Sequence, residues 1–320
     1  MNLEVNIASL RMKNPFTVAS GTFAPGKGYA AVWKRELISN ADSYPSSFDP
    51  KTPLAILGAL TTKGVSSKPW EGNRGIRVTE TSNGILNSIG LQNPGVEDFC
   101  ANELVWLASQ KIPIIVNVCG HTIADYAAVV ERLEHEKAVD AYELNVSCPN
   151  VDCGGMSFGT SHTAVSDLVT ACRALTKRPI IVKLTPNVTD ITEIARACEA
   201  SGADALSLIN TVAGMAIDVS KRAAVFDRKV AGLSGPAIKP VALYAVYRVH
   251  KAVAIPIIGM GGISTVEDIV EFLLAGATAI AIGTYNFTNP LAVLHLLPAL
   301  TQWCEKEGVN HLSDLTGALK

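Results

Sequence analysis

The 320 residues contain no apolar run long enough to cross a bilayer. The apolar runs, such as residues 54–60, are strand-sized. Neither a basic nor a long apolar stretch follows Met1, so no signal peptide is expected and a cytoplasmic location is. An excess of one charge is missing too, since 27 basic residues nearly balance 29 acidic ones. There is no basic stripe to suggest nucleic acid and no acidic tail to suggest a solvated arm. The seven cysteines, an odd number scattered from Cys100 to Cys304, argue for reduced thiols over a disulfide framework. Cys148 and Cys153 stand five apart with no C-x₂-C after them, so this chain is expected to carry no iron–sulfur cluster. The six histidines show neither H-E-x-x-H nor close pairing, and no metal site is predicted.

What is present is alternation. Eight apolar, β-branched runs recur at residues 16–19, 57–60, 112–116, 141–144, 179–182, 205–209, 255–258 and 277–282. Between most of them apolar residues fall at helical spacing, as in 123–133, 165–175, 191–200, 237–249 and 266–274, with a last such segment at 291–303. Eight strand–helix repeats predict a (β/α)₈ TIM barrel, here one domain over residues 1–320. A doubly wound open sheet needs fewer strands. The residues up to Pro15 are expected to form a hairpin plugging the barrel's N-terminal end.

In such barrels the chemistry gathers at the C-terminal ends of the strands. Here those ends collect Ser20, Lys63, Asn117, Asn145, Lys183, Asn210, Gly261, Gly262, Gly283 and Thr284. The patches Gly259-Met260-Gly261-Gly262 and Gly283-Thr284 follow the last two strands, where barrels hold phosphate on backbone N–H groups. The first patch is not a dinucleotide fingerprint, because Ser264 stands where the third glycine belongs. After the second strand, residues 66–95 form the longest irregular segment, and a connection of that length is usually a lid or binding loop. Within it Asn87-Ser88-Ile89-Gly90-Leu91 joins amides to flexible backbone, which suits a small planar polar ligand.

The hexapeptide Asn145-Val146-Ser147-Cys148-Pro149-Asn150 is the densest in chemistry. Its carboxamides both donate and accept hydrogen bonds, and its cysteine can act as proton acceptor or nucleophile. The plainer alternative is a polar loop around a half-buried thiol. Lys63 and Lys183 admit two uses, a Schiff base or a pair of fixed cations beside an anionic cofactor. The amides and the phosphate cup favour the second, with flavin mononucleotide as the cofactor and Lys183 stabilising negative charge on the reduced ring.

Taken together, these stretches closely resemble class 1 dihydroorotate dehydrogenases over nearly the whole chain. The resemblance lies in Ala19-Ser20-Gly21-Thr22-Phe23, Thr62-Lys63, Asn87 to Gly95, Asn145 to Asn150, Lys183, Ile209-Asn210-Thr211, Ile258 to Gly262 and Gly283-Thr284. The wording of Gly21-Thr22-Phe23 and of Gly90 to Gly95, with Gly154-Gly155 before Phe158-Gly159, matches the B-type, NAD-linked branch better than the fumarate-using A-type. The stretch Asn73 to Arg77 departs from the family in lacking prolines.

The resemblance implies oxidation of dihydroorotate to orotate in pyrimidine synthesis, with Cys148 as the base. It implies that Lys63, Asn87, Ile89, Gly90, Leu91, Asn145, Asn150, Asn210 and Thr211 hold the substrate. Ser20, Gly21, Thr62, Lys63, Asn117, Asn145, Lys183, Ile209, Gly235, Gly261, Gly262, Gly283 and Thr284 would hold one FMN per chain. It also implies a homodimeric core within a heterotetramer, whose second subunit carries FAD and a 2Fe–2S cluster and reduces NAD⁺. The rival readings are an A-type enzyme, a flavin barrel acting on dihydropyrimidines without the carboxylate, and a colourless Schiff-base lyase.

Overall fold

The computed structural model describes residues 1–23, 26–44, 48–147 and 158–320. Eight parallel strands form its centre. They are β1 (Phe16–Val18), β2 (Leu60–Thr61), β3 (Ile114–Val118), β4 (Ala141–Asn145), β5 (Ile180–Lys183), β6 (Ala205–Leu208), β7 (Ile257–Gly259) and β8 (Ala279–Ile282). Their order in the sheet is β1-β8-β7-β6-β5-β4-β3-β2. No ladder joins β1 to β2. The seam is held instead by Gly58 N donating to Phe16 O at 2.9 Å and by the Thr17 and Thr61 hydroxyls at 3.0 Å. The sheet is therefore a nearly closed barrel, and the helices follow its strands as the (β/α)₈ reading expects.

These strands are buried on both faces, which is why they read as continuous apolar runs and not as alternation. Outward residues such as Val116, Tyr142, Ile180 and Leu206 pack under the helices with no more than 1% of their surface exposed. Those helices are α1 (Lys27–Ser39), α2 (residues 96–108), α3 (Ile123–Glu134), α4 (His162–Arg173), α5 (Ile191–Ala200), α6 (Lys239–His250), α7 (Val266–Ala275) and α8 (Ala292–Lys306). Several begin where a short polar side chain meets the first turn. Thr122 and Asp125 form a reciprocal capping box on α3, and Thr265 and Asp268 form another on α7. Helix α2 contains a π-helical stretch, Phe99–Leu104.

The expected N-terminal hairpin is present as Val5–Ile7 paired with Leu10–Met12. It lies toward the N-terminal ends of the strands, where a Cβ on Gly58 would sit 2.0 Å from Asn14 O and 3.1 Å from Met12 Cε.

Three expectations need correction. The second strand is Leu60–Thr61 and not residues 57–60, because a Pro53-led 3₁₀ turn takes up residues 53–56 and Gly58 approaches the Asn14 backbone. The third strand continues past 116 to Val118, so Asn117 lies within it. The segment 66–95 is not irregular throughout, since Val78–Thr81 and Gly84–Asn87 pair as a hairpin. That hairpin joins Ala231–Ser234 and Val212–Gly214, from the connection after β6, in a four-stranded antiparallel sheet. This sheet has its own small cluster of buried residues, Leu86, Phe226 and Ala231, apart from the main core.

Candidate active site

The inward face of the barrel is apolar neither throughout nor by accident. Register places Asn117 opposite Glu143, Asn145 opposite Lys183, and Lys183 opposite Ser207. Because side chains alternate along a strand, these residues share the interior. Asn117 Nδ2 donates to Glu143 Oε1 at 2.6 Å, and Ser207 Oγ donates to Glu143 Oε2 at 2.7 Å. Lys183 Nζ donates to Ser20 Oγ at 2.9 Å and lies 3.9 Å from Glu143 Oε1. All but Ser20 are almost fully buried. Asn117 Oδ1 is also buried and has no hydrogen-bond partner among the described residues. An unpaired buried acceptor of this kind calls for a ligand or water.

Closer to the mouth, Thr62 Oγ1 donates to Lys63 O at 2.8 Å and accepts from Asn117 N at 3.2 Å, tying β2 to β3. Asn145 Oδ1 receives long contacts, both 3.4 Å, from Ser147 N and from Asn210 Nδ2. The Asn145 carbonyl accepts from the buried Tyr126 hydroxyl at 2.6 Å, which fixes the start of the hexapeptide from α3. Ile209 N donates to Met260 O at 3.0 Å, linking the end of β6 to β7.

Lys63 is half-buried. Burial pushes its ammonium below the usual lysine range, the Glu103 carboxylate opposes that, and Arg77 adds to it. Glu103 is pushed the other way by its own burial, and its Oε1 has no hydrogen-bond partner among the described residues.

The antiparallel sheet carries the second group. Asn87 Nδ2 donates to Gly232 O at 3.2 Å. A Cβ on Gly232 would lie 2.2 Å from Thr211 Oγ1, so only glycine lets that strand pass Thr211. Thr211 is further held by Asn187, whose Nδ2 donates to Thr211 O at 3.0 Å and whose Oδ1 accepts from Ala213 N at 2.8 Å. Ile89, Gly90 and Leu91 are shaped by neighbouring amides. Asn73 N donates to Ile89 O at 3.0 Å, and Asn93 Nδ2 donates to Leu91 O at 2.8 Å.

The glycine patches are close-packed. Gly261 and Gly262 both have positive φ, and a Cβ on Gly262 would come within 2.8 Å of Gly235 O. Among the described residues neither donates a backbone hydrogen bond. Their loop is anchored by Asp268, which accepts from Ser264 N at 2.8 Å and from Lys239 Nζ at 2.6 Å. Burial alone would raise the Asp268 carboxyl, but Lys239 and the backbone N–H groups hold it below the usual range. Gly283 precedes Thr284, whose hydroxyl donates to Ser234 Oγ at 2.8 Å and so joins the barrel rim to the sheet. Gly21 has φ of 85° and open space around it.

The strand-end residues thus come together at one face, and Asn87 and Thr211 join them through the sheet. Cys148 and Asn150 lie outside the described residues. Sequence reasoning missed Glu143 and Ser207, although a charged residue inside the apolar run 141–144 was a visible signal. It also missed Glu103 and Asn187. Among the described residues, no three His, Cys, Asp or Glu side chains are grouped to hold a metal, and no helix is long and apolar enough to cross a membrane.

A family model described as Dihydroorotate dehydrogenase matches residues 2–303. Among curated proteins, "Dihydroorotate dehydrogenase B (NAD(+)), catalytic subunit" of Lachnoclostridium phytofermentans is 48% identical over 320 residues, 100% of each chain. The protein of the same name from Alkaliphilus oremlandii is 47% identical over 318 residues, 99% of each. That from Petrotoga mobilis is 45% identical over 319 residues, 100% of each.

Proposed function

The chain belongs to the dihydroorotate dehydrogenase family, and from that membership we propose how its residues divide the work of a B-type, NAD⁺-linked catalytic subunit. Its reaction is the oxidation of dihydroorotate to orotate in pyrimidine biosynthesis. A proton leaves C5 and a hydride leaves C6, and the C5=C6 double bond forms. Cys148 takes the C5 proton as general base. The substrate lies among Lys63, Asn87, the backbone of Ile89, Gly90 and Leu91, Asn145, Asn150, Asn210 and Thr211. Lys63 faces its carboxylate, and the carboxamides pair with its ring N–H and C=O groups.

The residues present fit a flavin mononucleotide. Among the described residues Asn117 Oδ1 is a buried acceptor without a partner, Lys183 is a buried cation, and Gly261 and Gly262 are a cradle that a Cβ would fill. When bound, the flavin supplies the two-electron acceptor for the C6 hydride. Ser20 aims the Lys183 ammonium, and Gly21, Thr62, Lys63, Asn117, Asn145 and Ile209 line the ring's seat. Gly235, Gly261, Gly262, Gly283 and Thr284 take the phosphate on backbone N–H groups.

The relatives' shared name, "catalytic subunit", implies a partner subunit. In our reading that partner carries FAD and a 2Fe–2S cluster and delivers the electrons to NAD⁺. The single barrel domain forms a homodimeric core in a cytoplasmic heterotetramer.

The observation that carries the reading is the buried Lys183 ammonium held by Ser20 beside the unpaired Asn117 acceptor. The purified protein is expected to be yellow, to release one FMN per chain, and to be bleached by dihydroorotate without air. Alone it reduces dyes and not NAD⁺, and the FAD and iron–sulfur subunit confers NAD⁺ reduction. A colourless protein that takes up no FMN defeats the cofactor assignment. Fumarate reduction at a comparable rate by the isolated chain defeats the NAD⁺ route.

A further inference from the structure

Glu143 is 1% exposed and sits in mid-strand inside the barrel, an expensive place for a carboxylate. Both its oxygens are used, by the Asn117 amide at 2.6 Å and by the Ser207 hydroxyl at 2.7 Å. The same Oε1 faces Lys183 Nζ at 3.9 Å. Lys183 forms no other ion pair among the described residues, and the one other group it meets is the neutral Ser20 hydroxyl.

We propose that Glu143 is a positioning residue of the active site, setting the orientation of the Asn117 carboxamide and supplying the counter-charge that lets Lys183 stay buried. A carboxylate accepts and cannot donate, so the Asn117 NH₂ must turn down toward it. Turning the amide over would set Asn117 Oδ1 against the carboxylate oxygen. The acceptor end of Asn117 is thereby left for a ligand N–H, and its lack of a partner follows from the same contact. The proposal rests on reading the Lys183 side of the mouth as the flavin seat.

A plain hydrogen-bonding filler would behave differently. A glutamine could still accept from Asn117 and donate to the Ser207 oxygen, so it keeps the contacts and removes only the charge. Thermal unfolding of the apoprotein therefore separates the two roles through Glu143→Gln, Lys183→Met and the double variant. Each single change leaves one buried charge alone and is expected to lower Tm by roughly 5–10 °C. The double variant should recover most of either loss. No loss in Glu143→Gln, or losses that simply add, overturns the proposal. If Glu143→Gln does not fold, rescue by adding Lys183→Met supports it, and failure of both overturns it.

A second readout uses sulfite, which adds to bound flavin as an anion. After FMN reconstitution, Glu143→Gln should bind sulfite about tenfold or more tightly, because the Lys183 cation is no longer opposed. Unchanged or weaker sulfite binding overturns the electrostatic role. If the unmutated protein takes up no FMN, the cofactor reading fails, while the apoprotein cycle still decides the role of Glu143.

Discussion

The barrel mouth and the antiparallel sheet over it both carry polar residues assigned to ligands, but they hold them in opposite ways. In the barrel, Asn117, Glu143, Asn145 and Lys183 are at most 6% exposed and fixed by parallel ladders on both sides. In the sheet, Asn87 and Thr211 are half-buried, the strands are three or four residues long, and the core beneath is three side chains. Sites with few buried contacts open at low free-energy cost. The groups we propose for the cofactor are therefore on the rigid part, and those we propose for the substrate are partly on the part able to yield.

That contrast predicts which function each substitution removes. Cys148 should give the largest effect on chemistry and none on binding. In Cys148→Ala, stopped-flow flavin reduction should fall by roughly 10²–10⁴-fold with FMN and orotate still bound. Cys148→Ser should retain slight activity that rises with pH, while Cys153→Ala changes little. A normal reduction rate in Cys148→Ala removes the thiol from the mechanism.

Lys183→Met is the test on the barrel side. FMN affinity, read by fluorescence titration of the apoprotein, should drop by about 10–100-fold, the scale of a charge-assisted hydrogen bond. Asn87→Ala and Thr211→Val are the counterparts in the sheet, and each should raise KM for dihydroorotate by about tenfold without loss of FMN. If these sheet variants shed FMN as well, the two regions are one site and the comparison fails.

Lys63 sharpens it through pH. Its ammonium is held below the usual lysine range by burial, and a neutral amine cannot pair with the substrate carboxylate. Orotate affinity should therefore fall as pH rises through that lowered value, and earlier than an ordinary lysine would give. Lys63→Arg should abolish the dependence even if it binds less well. The smallest global effect is expected of Phe226→Ala. Proteolysis within residues 212–234 should accelerate while the barrel's Tm moves by less than about 2 °C, because Phe226 packs outside the main core.

The barrel and most of its strand ends were legible in the sequence, since eight buried runs ending in polar or glycine residues carry their own local signal. Glu143 was visible as a charge between Tyr142 and Leu144, but its role was not, because nothing local says that the strand face carrying it meets a polar interior. The second strand was read three residues early at its start and one at its end for a related reason. Leu54, Ile56 and Leu57 are as buried as a strand, and burial alone does not distinguish a 3₁₀ turn from an edge of the barrel. The antiparallel sheet was unreadable in principle from local pattern. Its Gly232–Asn87 register joins positions 145 residues apart, and each half is too short to announce its partner.

That separation also orders events as the chain leaves the ribosome. When residues 78–87 emerge they have only their own hairpin to pair with, and the strand that completes the sheet lies beyond β6. Closing a loop of this length adds little free energy over a shorter one, but the contact cannot reward the chain until both ends exist. Asn87 and Thr211 are thus brought to one place only after six of the eight strands have been made. A truncated nascent chain stopped before residue 231 would hold both residues and not the surface between them.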